Sequence, residues 1–348
     1  MGIVQQNRLV PCPMITACDN LRFGPCLDIA AASSAGANPM LRLENQDNFL
    51  LVDTHGRAAF LSGQALQQHE LAGWTTGHAR LAVLDGMGGH GHGRQAAEAV
   101  VAGLLAIPPC QAMPELVAHL DALHARLQAG FADADPSDHA RRPGTTLTLL
   151  EMPPGQSPLL YHVGDSRLYE ITADRVFPLT VDHVPATAFA MAGVLDKHEW
   201  WQQVHGEHRS HIAQAFILGN AFANPAMLSD PLFELSASTL PPFLRHLPDR
   251  RTLVLRPDAV YMLATDGFWA CVDPHLWVAR WPALLSRAGN ARAMLDVLFE
   301  ELCSKPPPGL HVDNLTAIVL RPVAPAASDR ASARASDQAS DQDNDTYA

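Results

Sequence analysis

Two apolar stretches of this chain run directly into an aspartate followed by glycine, and that arrangement restricts how the chain can fold. Asp85 stands in LAVLDGMGGHGHG, where five glycines fall within the next eight residues, and Asp266 stands in VYMLATDGF. A buried strand that ends on a carboxylate leaves the charge at the rim of a sheet, and the glycines let the backbone approach a ligand closely. Asp47 in LENQDNFLLV and Asp313 in HVDNLTAIVL stand at the entrances to two more apolar strands. Hard divalent cations such as Mg²⁺ and Mn²⁺ take oxygen donors of this kind. Any one of these aspartates is also explained as a turn former or helix cap. The repeated strand-Asp-Gly pattern makes a shared site the better reading, although composition alone identifies no reaction.

The strands that carry these residues are short, apolar and β-branched or aromatic. Periodicity predicts strands over Asn48–Val52, Leu81–Leu84, Thr145–Leu150, Leu159–Val163, Ser166–Thr172, Ala259–Ala264 and Asn314–Leu320. Helices are predicted over Gly93–Leu105, Met113–Ala129 and Ala291–Leu302, where apolar residues recur at helical spacing. Strands and helices mix without strict βαβ alternation, so an α+β sandwich with mainly antiparallel sheets is expected. The stretch 182–219 has little strand pattern and is rich in His and Trp, which suggests a flap between two site motifs. From Pro322 onward the chain turns to Ala, Ser, Asp and Gln repeats, too polar to offset the entropy of ordering.

Composition removes several classes of function. The chain has 348 residues, 47% of them hydrophobic and 17% charged, enough apolar surface for a large core. Its net charge of -12, with no basic cluster, argues against a nucleic-acid partner. The six cysteines contain no CxxC pair, which fits a reducing cytoplasm better than a disulfide framework. The first residues lack the pattern of a secretory signal, and Gln6 stands where a myristoylation motif needs Ser or Thr. Runs such as Ala96–Ile107 are too short to span a bilayer, so no membrane partner is expected.

Seven blocks in order give the pattern a family resemblance: Arg42-Leu-Glu-Asn-Gln-Asp47, Asp85-Gly-Met-Gly-Gly-His90, Gly144-Thr-Thr146, His162-Val-Gly-Asp-Ser-Arg167, Leu179-Thr-Val-Asp-His183, Thr265-Asp-Gly267 and Asp313-Asn-Leu-Thr316. The chain resembles the metal-dependent protein serine/threonine phosphatases of type 2C in their compact bacterial form, over roughly Asp28 to Arg321. The resemblance implies a four-layer α-β-β-α sandwich with a dinuclear Mn²⁺ or Mg²⁺ site at one end. It assigns residues 1–26 to an N-terminal arm, 27–322 to the catalytic domain with a flap at about 182–224, and 323–348 to a disordered tail. It also implies that Asp85 bridges both cations, that the Gly86 carbonyl and Asp47 serve one, and that Asp266 and Asp313 hold the other. Asp165, with Asp266, corresponds to a weaker third cation. Arg42, five residues before Asp47, is expected to bind phosphoryl oxygens through its fork of donors; its alternative is a surface salt bridge with Glu44 or another carboxylate.

The implied activity is hydrolysis of phosphoserine and phosphothreonine in proteins by metal-activated water, opposing a bacterial kinase. Two other readings stand beside it, a catalytically weak phosphoprotein-binding relative and a hydrolase of small phosphoesters. Gln46 replaces a glutamate common in the family and is left out of the ligand set. Met87 stands where animal members carry a histidine proposed as general acid, so that role does not transfer, and Met87 is expected to pack beneath the loop. His90 and His92 read as polar residues of a glycine-rich turn. The spacing of His198, His205, His208 and His211 would suit zinc, but the flanking sequence resembles the family flap. Trp200 and Trp201 are expected to pack the flap or touch substrate.

Overall fold

The computed structural model describes residues 14–36, 44–88, 92–134, 143–209, 211–222 and 231–323, with side chains described to residue 131 in the third stretch. The chain opens with β1 (Ile15–Ala17), β2 (Leu27–Ser34), β3 (Asn48–Val52), β4 (Arg57–Ser62), β5 (Ala65–Glu70), β6 (Ala79–Leu84) and β7 (Gly86–Met87). Helices α1 (His92–Ala106) and α2 (Met113–Ala134) follow, then β8 (Gly144–Thr145), β9 (Leu147–Met152), β10 (Leu159–Val163), β11 (Arg167–Ile171) and β12 (Val176–Pro178). The flap contributes α3 (Pro185–Met191), α4 (Lys197–Trp201), β13 (Gln214–Ala215) and β14 (Gly219–Asn220). After it come β15 (Arg250–Thr252), β16 (Val260–Ala264), α5 (Pro274–Val278), α6 (Trp281–Leu285), α7 (Ala291–Ser304) and β17 (Leu315–Pro322).

Two antiparallel sheets carry the structure. One has the order β1-β2-β17-β16-β11-β12, the other β15-β10-β9-β6-β3-β4-β5. The period of two along each strand decides what lies between them. In β3, Phe49 and Leu51 face the opposite sheet, joining Leu81, Leu168, Leu263 and Ile318 in the central layer. Leu50 and Val52 point the other way, onto Val100 and Leu104 of α1 and Leu116 and Leu120 of α2. The outer face of the first sheet, including Ala32, Met262 and Val319, packs on Trp277, Trp281, Leu295 and Leu298 of the last three helices. Strands covered on both faces read as continuous apolar runs, which is why they stood out in the sequence. The result is the expected α-β-β-α sandwich.

Several elements lacked a readable pattern. Strand β2 is LDIAAASS, and alanine has little intrinsic strand preference, yet β2 pairs along its whole length with β17. Strand β5 is almost wholly exposed at a sheet edge and carries no alternation. Within the stretch assigned to an N-terminal arm, Ile15–Ala17 pairs with Ala31–Ser33, and Ala17 and Phe23 are buried in the central layer. A strand this short leaves no periodicity to detect. The flap has a small core of its own, in which Val181, Trp200 and Val204 meet Leu235, Leu240 and Leu244, so its packing reaches beyond residue 224. The tail from residue 324 lies outside the described residues. Among the described residues no helix is long and apolar enough to cross a membrane.

One buried ion pair fastens the helical layer to the second sheet. Arg80 of β6 and Glu151 of β9 are both fully buried, with Nε to Oε2 at 2.6 Å and Nη2 to Oε1 at 2.8 Å. The guanidinium also donates to the carbonyls of Ile107 and Pro108, while Glu151 accepts from the Cys110 amide and approaches His78 at 2.7 Å. Burial pushes the Glu151 carboxyl up, but hydrogen bonds from Arg80 and His78 outweigh it and hold the group below the ordinary glutamate value. We expect Glu151→Gln, which leaves a buried guanidinium without its counter-charge, to cost about 3–5 kcal/mol in urea unfolding. In the parent, this contribution is complete above the ordinary glutamate pKa and is lost as pH falls through the lowered folded value. The variant's unfolding free energy should therefore lack that acid-side decline.

Candidate metal centre

Strand register brings the aspartates together. Asn48 pairs with Leu84, so one residue further along Asp47 and Asp85 lie across from each other at the same end of the second sheet. In the first sheet Ala264 pairs with Ala317, and the loops beyond that pair carry Asp266 after one strand and Asp313 before the other. A Cβ on Gly267 would come within 2.0 Å of the Asn314 carbonyl, a measure of how closely those loops pack. Asp165 follows β10, where Ser166 Oγ lies 2.6 Å from Thr146 Oγ1. Thr146 Oγ1 in turn accepts from the Asp85 amide at 2.8 Å.

A polar seam connects the two sheets beneath these carboxylates. Thr265 Oγ1 donates to Asp47 Oδ2 at 2.8 Å, tying the aspartate of the second sheet to the residue that precedes Asp266 in the first. Asn45 Nδ2 donates to Ser33 Oγ at 2.8 Å, and that hydroxyl lies 2.7 Å from Thr316 Oγ1. All of these groups are buried. Sequence reading assigned no role to Ser33, Asn45, Thr265 or Thr316, although Asn45, Thr265 and Thr316 stand within the motif blocks that carry the resemblance.

The electrostatics show mutual repulsion. Burial raises the Asp85 carboxyl well above the ordinary aspartate value, and the charges of Asp47, Asp266 and Asp165 push it further, as does a hydrogen bond with Asp266. Asp165 is raised likewise by burial and then by Asp266 and Asp182, against the pull of Arg167. No three of these carboxylates bring one oxygen each within 4.8 Å of one another. The groups gathered here are carboxylates, and an all-oxygen set under self-repulsion fits hard divalent cations. Gly86 and Gly93 are pressed together: a Cβ on Gly93 would sit 2.6 Å from the Gly86 oxygen, so the glycine-rich turn is a packing requirement.

A buried arginine props the Asp165 side of the site. Arg167 Nε donates to both Asp182 oxygens at 2.9 and 3.0 Å, Nη2 to Oδ2 at 2.7 Å and to the Val204 carbonyl at 2.7 Å. Its guanidinium lies over the Trp269 ring, 4.6 Å from the centroid. The Arg167-Asp182 pair therefore locks the loop carrying Asp165 to the flap. Beside it lies a cavity of about 290 Å³ bounded by Asp165 and Asp266 on one side and by Pro185, Phe189, His208 and Arg209 of the flap on the other.

Other expected residues fall in varied places. Arg42 and His90 lie outside the described residues. Glu44 is engaged by Arg94 Nε at 2.6 Å and by Gln46 Nε2 at 3.4 Å, so the Gln46 amide turns to Glu44. His92 begins α1 and is exposed. Met87 belongs to β7, which pairs with β8. The four flap histidines do not converge: His205 packs between Trp200 and Trp201, whereas His208 Nε2 reaches to 3.9 Å from Asp266. Trp200 is buried in the flap core with Nε1 donating to Thr187 Oγ1, and Trp201 is 40% exposed.

No family model and no curated protein matches this sequence. Solved structures do match its fold. The S. agalactiae serine/threonine phosphatase aligns over 85% of this chain and all of its own, at 18% identity and a TM-score of 0.59. The PPM Ser-Thr phosphatase MsPP from Mycobacterium smegmatis, in complex with cacodylate, aligns over 86% of this chain and 100% of its own, at 21% identity and a TM-score of 0.56. The catalytic domain of the serine/threonine protein phosphatase PstP, in complex with two manganese ions, covers 86% of this chain and 99% of its own, at 21% identity and a TM-score of 0.55. The chain has the sandwich fold that these three share.

The clustered charge sets a stability test that is independent of catalysis. With burial and neighbouring carboxylates raising Asp85 and Asp165, the chelated protein should lose stability as pH rises from the ordinary aspartate value through the raised ones. Under chelation at neutral pH, Asp85→Asn should melt no lower than the parent. Mn²⁺ at a hundred times its dissociation constant should add about 2.7 kcal/mol to the parent and clearly less to the variant. Differential scanning fluorimetry across pH measures both.

Proposed function

We propose that this protein is a metal-dependent phosphatase that hydrolyses phosphoserine and phosphothreonine in proteins. The observation that carries the reading is the convergence of Asp47, Asp85, Asp165 and Asp266 at one end of a sandwich of the PPM phosphatase type. Asp85 would be shared between two cations, with Asp47 and the Gly86 carbonyl serving one and Asp266 with Asp313 the other. Asp165, with Asp266, would hold a weaker third. Mn²⁺ or Mg²⁺ bound there supplies Lewis-acid neutralisation of a phosphate dianion and a water of lowered pKa.

The chain's own residues do the positioning. Thr265 fixes the rotamer of Asp47 across the sheet junction, and the Asp85 amide is pinned to Thr146, so two ligands from different strands keep a constant separation. Arg42 would orient the phosphoryl oxygens through paired N–H donors. The cavity under the flap favours a peptide over a small phosphoester, because Phe189, 48% exposed at its edge, offers apolar surface for a residue flanking the phosphorylated one. We assign the catalytic unit to residues 15–322, because β1 and Phe23 belong to the sandwich, with a flap that starts at about 182 and packs on as far as Leu244, and place the protein in the cytoplasm opposing a Ser/Thr kinase.

Asp85→Asn keeps the shape of the side chain and removes the shared charge, so turnover of a phosphopeptide in Mn²⁺ should fall by on the order of a thousandfold. Chelation should abolish activity in the parent and excess Mn²⁺ should restore it. Near-normal turnover in the variant would defeat the proposal. Phosphopeptide binding by the parent without turnover would instead favour a regulatory binding role, and turnover of aryl phosphate alone a small-molecule hydrolase. Arg42→Ala should raise KM for phosphopeptide at least tenfold, with Mn²⁺ affinity by calorimetry unchanged; an unaltered kcat/KM would return Arg42 to a surface salt bridge.

A further inference from the structure

We propose that Cys110, Glu115 and His119 form a second metal site, of zinc type, remote in chemistry and position from the aspartate cluster. The Cys110 thiol, a Glu115 carboxylate oxygen and a His119 ring nitrogen all lie within 4.8 Å of one another. Glu115 and His119 are one turn apart on the same face of α2, and Cys110 lies in the connection leading into that helix, three residues before its start.

The connection is built to hold the cysteine in place. Cys110 is fully buried, its amide donates to Glu151 Oε1 at 3.0 Å, and the preceding carbonyls of Ile107 and Pro108 are gripped by Arg80. The Gln111 amide donates to Glu115 Oε2 at 2.9 Å, which turns the carboxylate back toward the cysteine and leaves its other oxygen available. Glu115 is exposed and His119 is partly buried, so two donors can adjust while the third stays fixed. Zinc bonds of about 2.0–2.3 Å place tetrahedral donors about 3.5 Å apart, a closure of about an ångström from the observed limit and within the reach of side-chain rotation.

The donor chemistry selects the ion. Thiolate and imidazole are softer than anything in the aspartate cluster and suit zinc rather than magnesium or calcium. Thiolate and carboxylate together balance a divalent charge, with a neutral imidazole as third ligand. Without an ion the thiol is neutral, pushed up to about 12 by burial and by Glu151 and Glu115. Binding breaks the S–H bond, forms the S–Zn bond and releases one proton to solvent, with no change of oxidation state. Water from the exposed side completes the coordination. An ion there would clamp the start of α2 to the segment fastened on the Arg80-Glu151 pair.

Cobalt(II) distinguishes this site from the aspartate cluster, because only a thiolate ligand gives an intense sulfur-to-metal charge-transfer band in the near ultraviolet. Titration of the reduced full-length protein with Co²⁺ should produce that band, and Asp85→Asn should retain it. Cys110→Ser should abolish it while leaving Mn²⁺-dependent turnover unchanged, and His119→Gln, at a partly exposed helical position, should weaken cobalt affinity at least tenfold. No band at saturating Co²⁺, or a band that survives Cys110→Ser, overturns the proposal. Should Cys110→Ser fail to fold, His119→Gln decides: a circular dichroism spectrum like the parent's with unchanged cobalt affinity overturns it as well.

Discussion

Mutual repulsion among buried carboxylates is the constraint on which this structure depends. Asp47, Asp85, Asp165 and Asp266 come from both sheets, and burial together with their combined charge lifts Asp85 and Asp165 well above the ordinary aspartate value. A fold does not gather such groups without cost. The rest of the molecule supplies what is needed to hold them: two stiff sheets, apolar on both faces, packed through a dry central layer of Phe49, Leu81, Leu263 and Ile318. Cations bound there would convert the repulsion into attraction, and affinity for them would be the counterpart of the strain that the clustered charges impose.

Neutral hydrogen bonds locate what charge alone would scatter. Thr265 to Asp47, Thr146 to the Asp85 amide, and the Asn45-Ser33-Thr316 chain form a seam where the sheets meet. Each hydroxyl takes little volume and leaves the apolar packing undisturbed on either side. Arg167 and Asp182 act on a larger scale, as a buried pair that joins the Asp165 loop to the flap through the Val204 carbonyl. The flap has its own apolar core around Trp200 and Leu235, so it can be altered in sequence without loosening the sandwich.

A second buried ion pair, Arg80 with Glu151, does comparable work at the end of β6 away from Asp85. It draws together the end of α1, the connection to α2 and two neighbouring strands. The Cys110, Glu115 and His119 donors lie on that anchored segment, where backbone placement is set by charge and only the side chains remain to be ordered. Two clusters of different chemistry, one of carboxylates and one that includes a thiol, thus occupy regions that the same strands hold in place.

Much of the sandwich was legible in the sequence, because strands buried on both faces must be continuously apolar: the ranges expected for Asn48–Val52 and Leu159–Val163 coincide with β3 and β10. Asp85 and Asp266 could be read as site residues because each breaks such a run at its end and is followed by glycine. Hidden were the elements whose stability comes from neighbours and not from their own pattern, including alanine-rich β2, exposed β5 and the three-residue β1. Hidden too were the partners of the aspartates. Thr265 and Asp47 are 218 residues apart in the chain, and the pairing of Arg167 with Asp182 is a matter of where side chains point once the sheet and the flap have packed. Sequence by itself determined which residues bear charge, which runs must be buried and where the backbone needs glycine, since these are properties of single residues and their near neighbours. The tertiary structure alone decided which charges meet and which hydroxyl holds each of them, because contacts between distant segments depend on strand register and sheet packing.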